Sequence, residues 1–393
     1  MTGRALRIAI LTHSTNPRGG VVHALALGEA LTALGHEAVV HAPDPGGGGF
    51  FRSANCRIAP VAARPVSGST SDLVRTRIGE YQSHFATPAS RDYDVFHAQD
   101  GISGNALATL VRRRLIPAFV RTVHHLDHFA DPQLAYWHDR AIYDATRLLC
   151  VSRLWQDAMR RDYGLCAADV GNGVDTEAYG PTATSADDDL RAAWGLGQGP
   201  IFLSVGGFEE RKNSARIIDA FARLRAAHAS AQLLVVGGAS LLDHASYQAR
   251  CRAALETAGL AVGPGCSVIP TGPVPQAAMP AFYRLADALV FPSLREGFGL
   301  CVLEAMASGT PTLVADRAPF TEYLTAADTL FVDPEDTDAV ARGMEAVLDP
   351  ATAARLSAAG PAVAASHSWQ ACAQKHLGAY SALIEAGRTL SHA

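Results

Sequence analysis

Lysine is almost missing. Of the 33 Lys and Arg residues in this 393-residue chain, only Lys212 and Lys375 are lysine. The bias itself reads as genome composition, but it singles out the two that remain. Charge is also sparse, at 18% against 48% hydrophobic residues. Such a chain can bury a large core, which excludes disordered and fibrous classes. The net charge of -5 argues against a general nucleic-acid binder. No apolar run approaches the roughly 18 residues of a membrane span, and no apolar signal region precedes the first strand-like segment. The seven cysteines, at 56, 150, 166, 251, 266, 301 and 372, form no CxxC pair. An odd count at wide spacing fits reduced thiols better than a disulfide framework. GxGxxG is missing from the first strand-to-helix turn, which weakens a nicotinamide reading. What remains is a soluble cytoplasmic enzyme of two domains, each of about 180 residues.

Short apolar runs alternate with stretches of helical period, and the alternation occurs twice. Runs at 6–11, 38–41, 94–97, 119–123 and 148–151 read as strands, with helices near 20–34, 104–116, 133–146 and 152–163. The second set has strands at 201–205, 233–236, 268–271, 289–291 and 312–314, with helices near 213–229, 244–258, 275–285 and 299–308. Continuous apolar strands between helices predict an α/β fold, with a doubly wound parallel sheet in each half. Small, polar and acidic residues near 180–195 suggest the join. The expected division is 1–183, 184–370 and a closing helix at 371–393 that packs back on the first domain. The Pro-Gly run at 43–49 reads as a mobile loop.

Four segments carry candidate chemistry. The first strand ends in Thr12-His-Ser-Thr-Asn-Pro-Arg-Gly-Gly20, where paired glycines before a helix let a ligand approach the backbone. Thr122-Val-His-His-Leu-Asp-His128 sits at the carboxyl end of a strand. Its three histidines, with Asp127 and Asp131, offer metal ligands, a single functional histidine, or structural histidines. Ser204-Val-Gly-Gly-Phe-Glu-Glu-Arg-Lys-Asn213 ends a strand with Gly-Gly and adds Arg211 and Lys212 before a helix, a turn suited to phosphate or merely a solvated loop. The fourth segment, at 291–309, contains Glu296-Gly-Phe-Gly-Leu-Cys-Val-Leu-Glu304. Gly297 and Gly299 precede a helix whose start would stabilise phosphate. Glu304 lies inside that helix among apolar neighbours and needs a hydrogen-bonding partner.

With these motifs in this order, the chain resembles the retaining glycosyltransferases of family 4. The resemblance also takes in Asn172-Gly-Val-Asp175 and Asp333-Pro334, so it covers nearly the whole chain. It implies the GT-B fold, two Rossmann-like domains facing across a cleft, with a C-terminal helix crossing back to the first. It further implies transfer of a hexose-type sugar from a nucleoside-diphosphate sugar to an acceptor hydroxyl, without cofactor or metal. Gly19 and Gly20 would face donor diphosphate and acceptor, and His124 would touch the donor sugar near the reacting carbon. Lys212 would neutralise the leaving diphosphate. Glu296 would bind sugar hydroxyls, Gly297, Phe298, Gly299 and Leu300 would supply backbone contacts, and Glu304 would hold the ribose.

Three positions depart from the family pattern. Gly207 replaces a common Arg whose charge Arg211 would supply, Asn213 stands where Gly is usual, and Cys301 where Pro is usual. The expected partner is a nucleotide sugar, with an acceptor that is a small molecule, a glycan or lipid-linked. Nucleic acid is not expected. Arg112-Arg-Arg114 reads as a lipid-facing patch or as a solvated helix end. Three other readings compete: a metal-dependent hydrolase built on the cluster at 124–131, an epimerase or phosphorylase of the same doubled-sheet fold, and a non-catalytic nucleotide-sugar-binding protein.

Overall fold

The computed structural model of the chain describes residues 4–238 and 245–391. They form two compact units. The first takes the chain up to Asn172 and the segment from Trp369 onward, and the second is Gly173–Ser368.

The first unit runs β1 (Arg7–Leu11), α1 (Gly19–Ala33), β2 (Glu37–Asp44), β3 (Arg57–Ala62), α2 (Thr70–His84) and β4 (Val95–Ala98). It continues α3 (Gly101–Arg112), β5 (Val120–Val123), α4 (Pro132–Tyr143), β6 (Arg147–Cys150), α5 (Arg153–Tyr163) and β7 (Ala167–Asp169). All seven strands are parallel, in the order β3-β2-β1-β4-β5-β6-β7. Strand β1 shows why its sequence is apolar without alternation. Ile8 and Ile10 pack with Val21 and Leu25 of α1, while Ala9 and Leu11 pack on the opposite face with Tyr81, Phe85 and Leu107. Both faces are covered, so both sets of side chains must be apolar.

Periodicity gives no signal for β3 or α2. Strand β3 is the sheet edge and carries Arg57 and Pro60, residues tolerated where one side of a strand is unpaired. Helix α2 is marked by its start rather than its face: Ser69 and Asp72 form a reciprocal capping box. The Pro-Gly run is a loop only in part, with Gly46 to Gly48 in an exposed turn. Pro43 and Asp44 belong to β2, paired with Val61 and Ala62, and the Asp44 carboxylate accepts the Gly49 N–H at 2.8 Å. Phe50 beyond it is buried.

The second unit runs α6 (Ser185–Trp194), β8 (Ile201–Val205), α7 (Ser214–Leu224), β9 (Gln232–Val236), α8 (Ala245–Thr257), β10 (Val268–Gly272), α9 (Met279–Leu285) and β11 (Ala288–Phe291). It ends with α10 (Leu300–Ala307), β12 (Thr312–Ala315), β13 (Leu330–Val332), α11 (Thr337–Ala346) and α12 (Pro350–Ala365). Its six strands are parallel in the order β10-β9-β8-β11-β12-β13. Helix α6 occupies the acidic stretch near 185–195 and opens on a Thr184–Asp187 capping box. The closing helix α13 (Trp369–Ser391) belongs to the first unit, where Ala373, Tyr380 and Leu383 enter the core beneath α1. Among the described residues, no helix is long and apolar enough to cross a membrane.

Each sheet reverses its strand order once, between β1 and β4 and between β8 and β11. Loops leaving the carboxyl ends of strands at such a reversal diverge and leave a crevice for ligands.

Candidate active site

Two of the four candidate segments leave the reversal point of the second sheet. The loop after β8 carries Gly206 to Asn213, and the loop after β11 carries Pro292 to Gly299. Both Gly206 and Gly207 donate their N–H to the Val236 carbonyl, at 2.7 and 3.1 Å, and both adopt positive φ. A Cβ on Gly206 would stand 2.7 Å from Lys212 Cε, so the missing side chain lets the lysine stem cross the turn. Gly207 has φ +70, and a Cβ there would lie 3.0 Å from the Gly237 carbonyl oxygen. A side chain such as arginine there would be strained by the left-handed backbone and pressed against that carbonyl.

Asn213 has an equally clear reason. It takes a left-handed conformation with φ 63, which Asn tolerates better than most residues. Its side-chain amide donates to the Pro292 and Pro334 carbonyls at 3.0 and 2.6 Å. One side chain thus ties together the loops after β8, β11 and β13. A glycine would fit the backbone and lose the tie.

This anchoring brings Arg211, Lys212 and Glu296 together. Lys212 Nζ donates to Glu296 Oε1 at 2.5 Å, and Arg211 reaches the same oxygen at 3.0 Å. The Lys212 and Glu296 side chains are each 9% exposed, and the lysine ammonium also sits 4.1 Å from the centre of the Phe291 ring. Arg211 Nε lies 3.0 Å from Glu209, whose side chain is buried. Sequence reasoning missed Glu209 and Phe291. Their only signal was position, beside the two motif loops.

Helix α10 begins beside this cluster. Gly299 caps it at φ +99, where a Cβ would meet the Phe320 ring at 2.6 Å, so glycine is required. Phe298 stacks on Tyr323 with centroids 4.7 Å apart, and the Tyr323 hydroxyl donates to the Phe298 carbonyl at 3.1 Å. Leu300 and Cys301 form the first turn. Unlike a proline, Cys301 keeps an N–H there.

Glu304 lies one turn deeper and has the partner its surroundings demand. The Tyr283 hydroxyl donates to it at 2.7 Å. Burial raises the carboxyl above the ordinary value for a glutamate, opposed by hydrogen bonds from Tyr283 and Tyr179. Neither tyrosine was legible beforehand, being 21 and 125 positions away in sequence.

In the first unit, Gly19 and Gly20 open α1 and His124 follows β5. The structure brings them together, since a Cβ on Gly20 would stand 3.3 Å from the His124 ring. His124 Nε2 lies 2.8 Å from the Gln99 amide oxygen. That oxygen only accepts, so Nε2 carries the proton. Burial, reinforced by His23 and other neighbouring histidines, holds the His124 pKa well below the ordinary histidine value, so the ring is neutral.

The rest of the 124–131 cluster does not converge. His125 pairs with Asp127 at 2.9 Å, while Asp131 caps α4 and accepts from Ser71 at 2.5 Å. The metal-hydrolase reading therefore loses its ligand set. Arg112 pairs with Asp144 at 3.0 Å, as a solvated helix end would.

Comparison with known proteins agrees with this geometry. The family model described as Glycosyltransferase Family 4 matches residues 17–178, and that described as Glycosyl transferases group 1 matches 187–362. D-inositol 3-phosphate glycosyltransferase 1 of Catenulispora acidiphila is 30% identical over 321 residues, spanning 76% of this chain and 75% of that protein. The D-inositol 3-phosphate glycosyltransferase of Nocardia farcinica is 28% identical, over 97% of this chain and 90% of its own. Among solved structures, sucrose-phosphate synthase from Thermosynechococcus elongatus superposes with a TM-score of 0.78 at 22% identity, covering 98% of this chain and 100% of that one. Anabaena HepE, solved in complex with UDP-glucose, gives 0.75 at 18% identity, over 96% and 100%. The fold is that of the GT-B enzymes, and the chain belongs to the family 4 glycosyltransferases.

Proposed function

We propose that the protein transfers a hexose-type sugar from a nucleoside-diphosphate sugar to an acceptor hydroxyl, with retention of anomeric configuration and without a catalytic metal or cofactor. The observation that carries this reading is the grouping of Lys212, Arg211, Glu296 and the start of α10 at the reversal point of the second sheet. Two cations and a helix N-terminus suit a diphosphate. Glu296 suits the hydroxyls of the sugar, and Glu304, oriented by Tyr283, suits those of the ribose. Backbone groups from Gly297 to Leu300 would lie between them. In the first unit, neutral His124 with Gly19 and Gly20 is assigned to the sugar and the acceptor.

Charge builds on the β-phosphate as the bond from the anomeric carbon to the phosphate oxygen breaks. Fixed cations and N–H dipoles stabilise that charge in place of a metal. With no carboxylate assigned as a covalent nucleophile, the acceptor oxygen attacks from the side the phosphate leaves, and the departing phosphate oxygen takes its proton. Seven scattered, unpaired cysteines suit a cytoplasmic setting. The acceptor is a small molecule, a glycan or a lipid-linked sugar.

The test is a thermal-shift screen with UDP-, GDP-, ADP- and dTDP-sugars. The matching donor at a hundredfold excess over Kd stabilises by about 2.7 kcal/mol, a shift of several degrees in Tm. Glu304→Ala should lose most of that shift while its own fold persists by circular dichroism. A wild type indifferent to every donor would sink the reading. Product NMR then reports the anomeric configuration, and turnover should not depend on added Mg2+ or Mn2+.

A further inference from the structure

Helices α1 and α13 of the first unit bury a cluster that the transfer chemistry does not use. Cys372 and His376 stand four residues apart on α13, so they share one face, and His23 meets them from α1. All three are buried, and one possible ligand atom from each lies within 4.8 Å of the others. Cys372 Sγ stands 3.7 Å from His376 Nδ1 and 3.6 Å from the Gly171 carbonyl oxygen. His23 Nδ1 is 2.6 Å from the Asn172 side-chain oxygen, and His376 Nδ1 is 2.9 Å from the Cys372 carbonyl. Both oxygens only accept, so each Nδ1 carries its ring's proton and each Nε2 presents a lone pair. Both Nε2 atoms are buried without a hydrogen-bond partner. Two orphaned buried acceptors are costly unless something binds them. Burial also keeps the rings neutral, with His23 pushed down to about 4 and His376 to about 3.

We infer that His23, Cys372 and His376 form a zinc site, with three protein ligands and an open fourth position, that fastens α13 to α1. Two imidazoles and a thiol are the donor set of a borderline-soft ion, and they exclude magnesium and calcium, which take oxygen. A ring N–H donated to an oxygen is how ligating histidines are usually held, and both rings have it already. On binding, the metal takes the two Nε2 lone pairs and the Cys372 sulfur, and the thiol proton leaves to solvent. Burial holds the Cys372 thiol protonated, and a cation at the sulfur favours the thiolate. Zinc bonds of about 2.0–2.3 Å set ligand separations near 3.5 Å, so ion binding requires the ligand atoms to draw together and the rings to turn their Nε2 atoms toward the sulfur. A water would complete the tetrahedron.

The experiment uses the full chain, stripped with a chelator and reloaded with Zn2+ or Co2+. The expected result is one zinc per chain by mass spectrometry, a thiolate-to-cobalt charge-transfer band, and a Tm raised by several degrees on zinc addition. Cys372→Ser and His23→Gln should each abolish the band and the Tm response. The second variant serves if the first does not fold, because it alters the other helix. A wild type that retains no zinc and shows no Tm response overturns the inference. So does a cobalt band that persists in either variant, which would place the metal elsewhere.

Discussion

Lys212 and Glu296 are 84 positions apart and share a hydrogen bond of 2.5 Å. Without a donor, then, the cation proposed to take phosphate is paired with the carboxylate proposed to take sugar. A diphosphate must compete with Glu296 for the ammonium. Glu296→Gln removes that competitor but also removes a charged acceptor for sugar hydroxyls. The variant should bind the bare nucleoside diphosphate about three- to tenfold more tightly, an effect on the order of 1 kcal/mol. Its turnover should fall. Calorimetric titration and steady-state kinetics measure the two separately, and weaker diphosphate binding would show that Glu296 positions Lys212 rather than competing for it. Each of these residues was legible alone, because spacing and scarcity singled them out. Their pairing was not, since it depends on which strands become neighbours.

At the scale of elements, the loop after β8 shows how a departure from a family pattern can be a matter of backbone. The absent arginine at 207 looked like a missing charge. The structure shows a left-handed turn packed against the Gly237 carbonyl, with Arg211 already on Glu296. Gly207→Arg should therefore lower stability by about 1–3 kcal/mol without tightening diphosphate binding. Chemical denaturation and product inhibition read the two effects, and a gain in affinity at unchanged stability would overturn this account. Strands such as β8 and β9 were plain in the sequence because burial on both faces leaves an uninterrupted apolar run. Edge strand β3 and helix α2 left no such trace, and their order rests on capping and pairing that hydrophobic periodicity does not record.

Across the whole molecule, buried histidines link the fold to pH. His41 is pushed down to about 3 by burial, with His84 and Arg57 adding to it, and His138 to about 4 by burial and Arg121. In the unfolded chain both titrate near 6.5. Above that pH neither state is charged and the full stability is present. Below it the unfolded chain takes up protons that the fold refuses, so stability falls as pH falls, down to about pH 4 for His138 and about pH 3 for His41. The slope is about 1.4 kcal/mol per pH unit for each histidine. Calorimetry from pH 7 to 5 should show a declining Tm, with a shallower decline in His41→Gln, and an unchanged slope in that variant would discount its part. The two-sheet plan itself was legible, because the strand-helix rhythm repeats. The return of α13 to the core beneath α1 has a consequence in time. The second unit is a contiguous stretch, Gly173–Ser368, while the first needs both ends of the chain. During synthesis, at 5–20 residues per second, the α1 side of the first core waits about 10–40 s for its last helix. Its exposed apolar face in that interval is where a chaperone would find work.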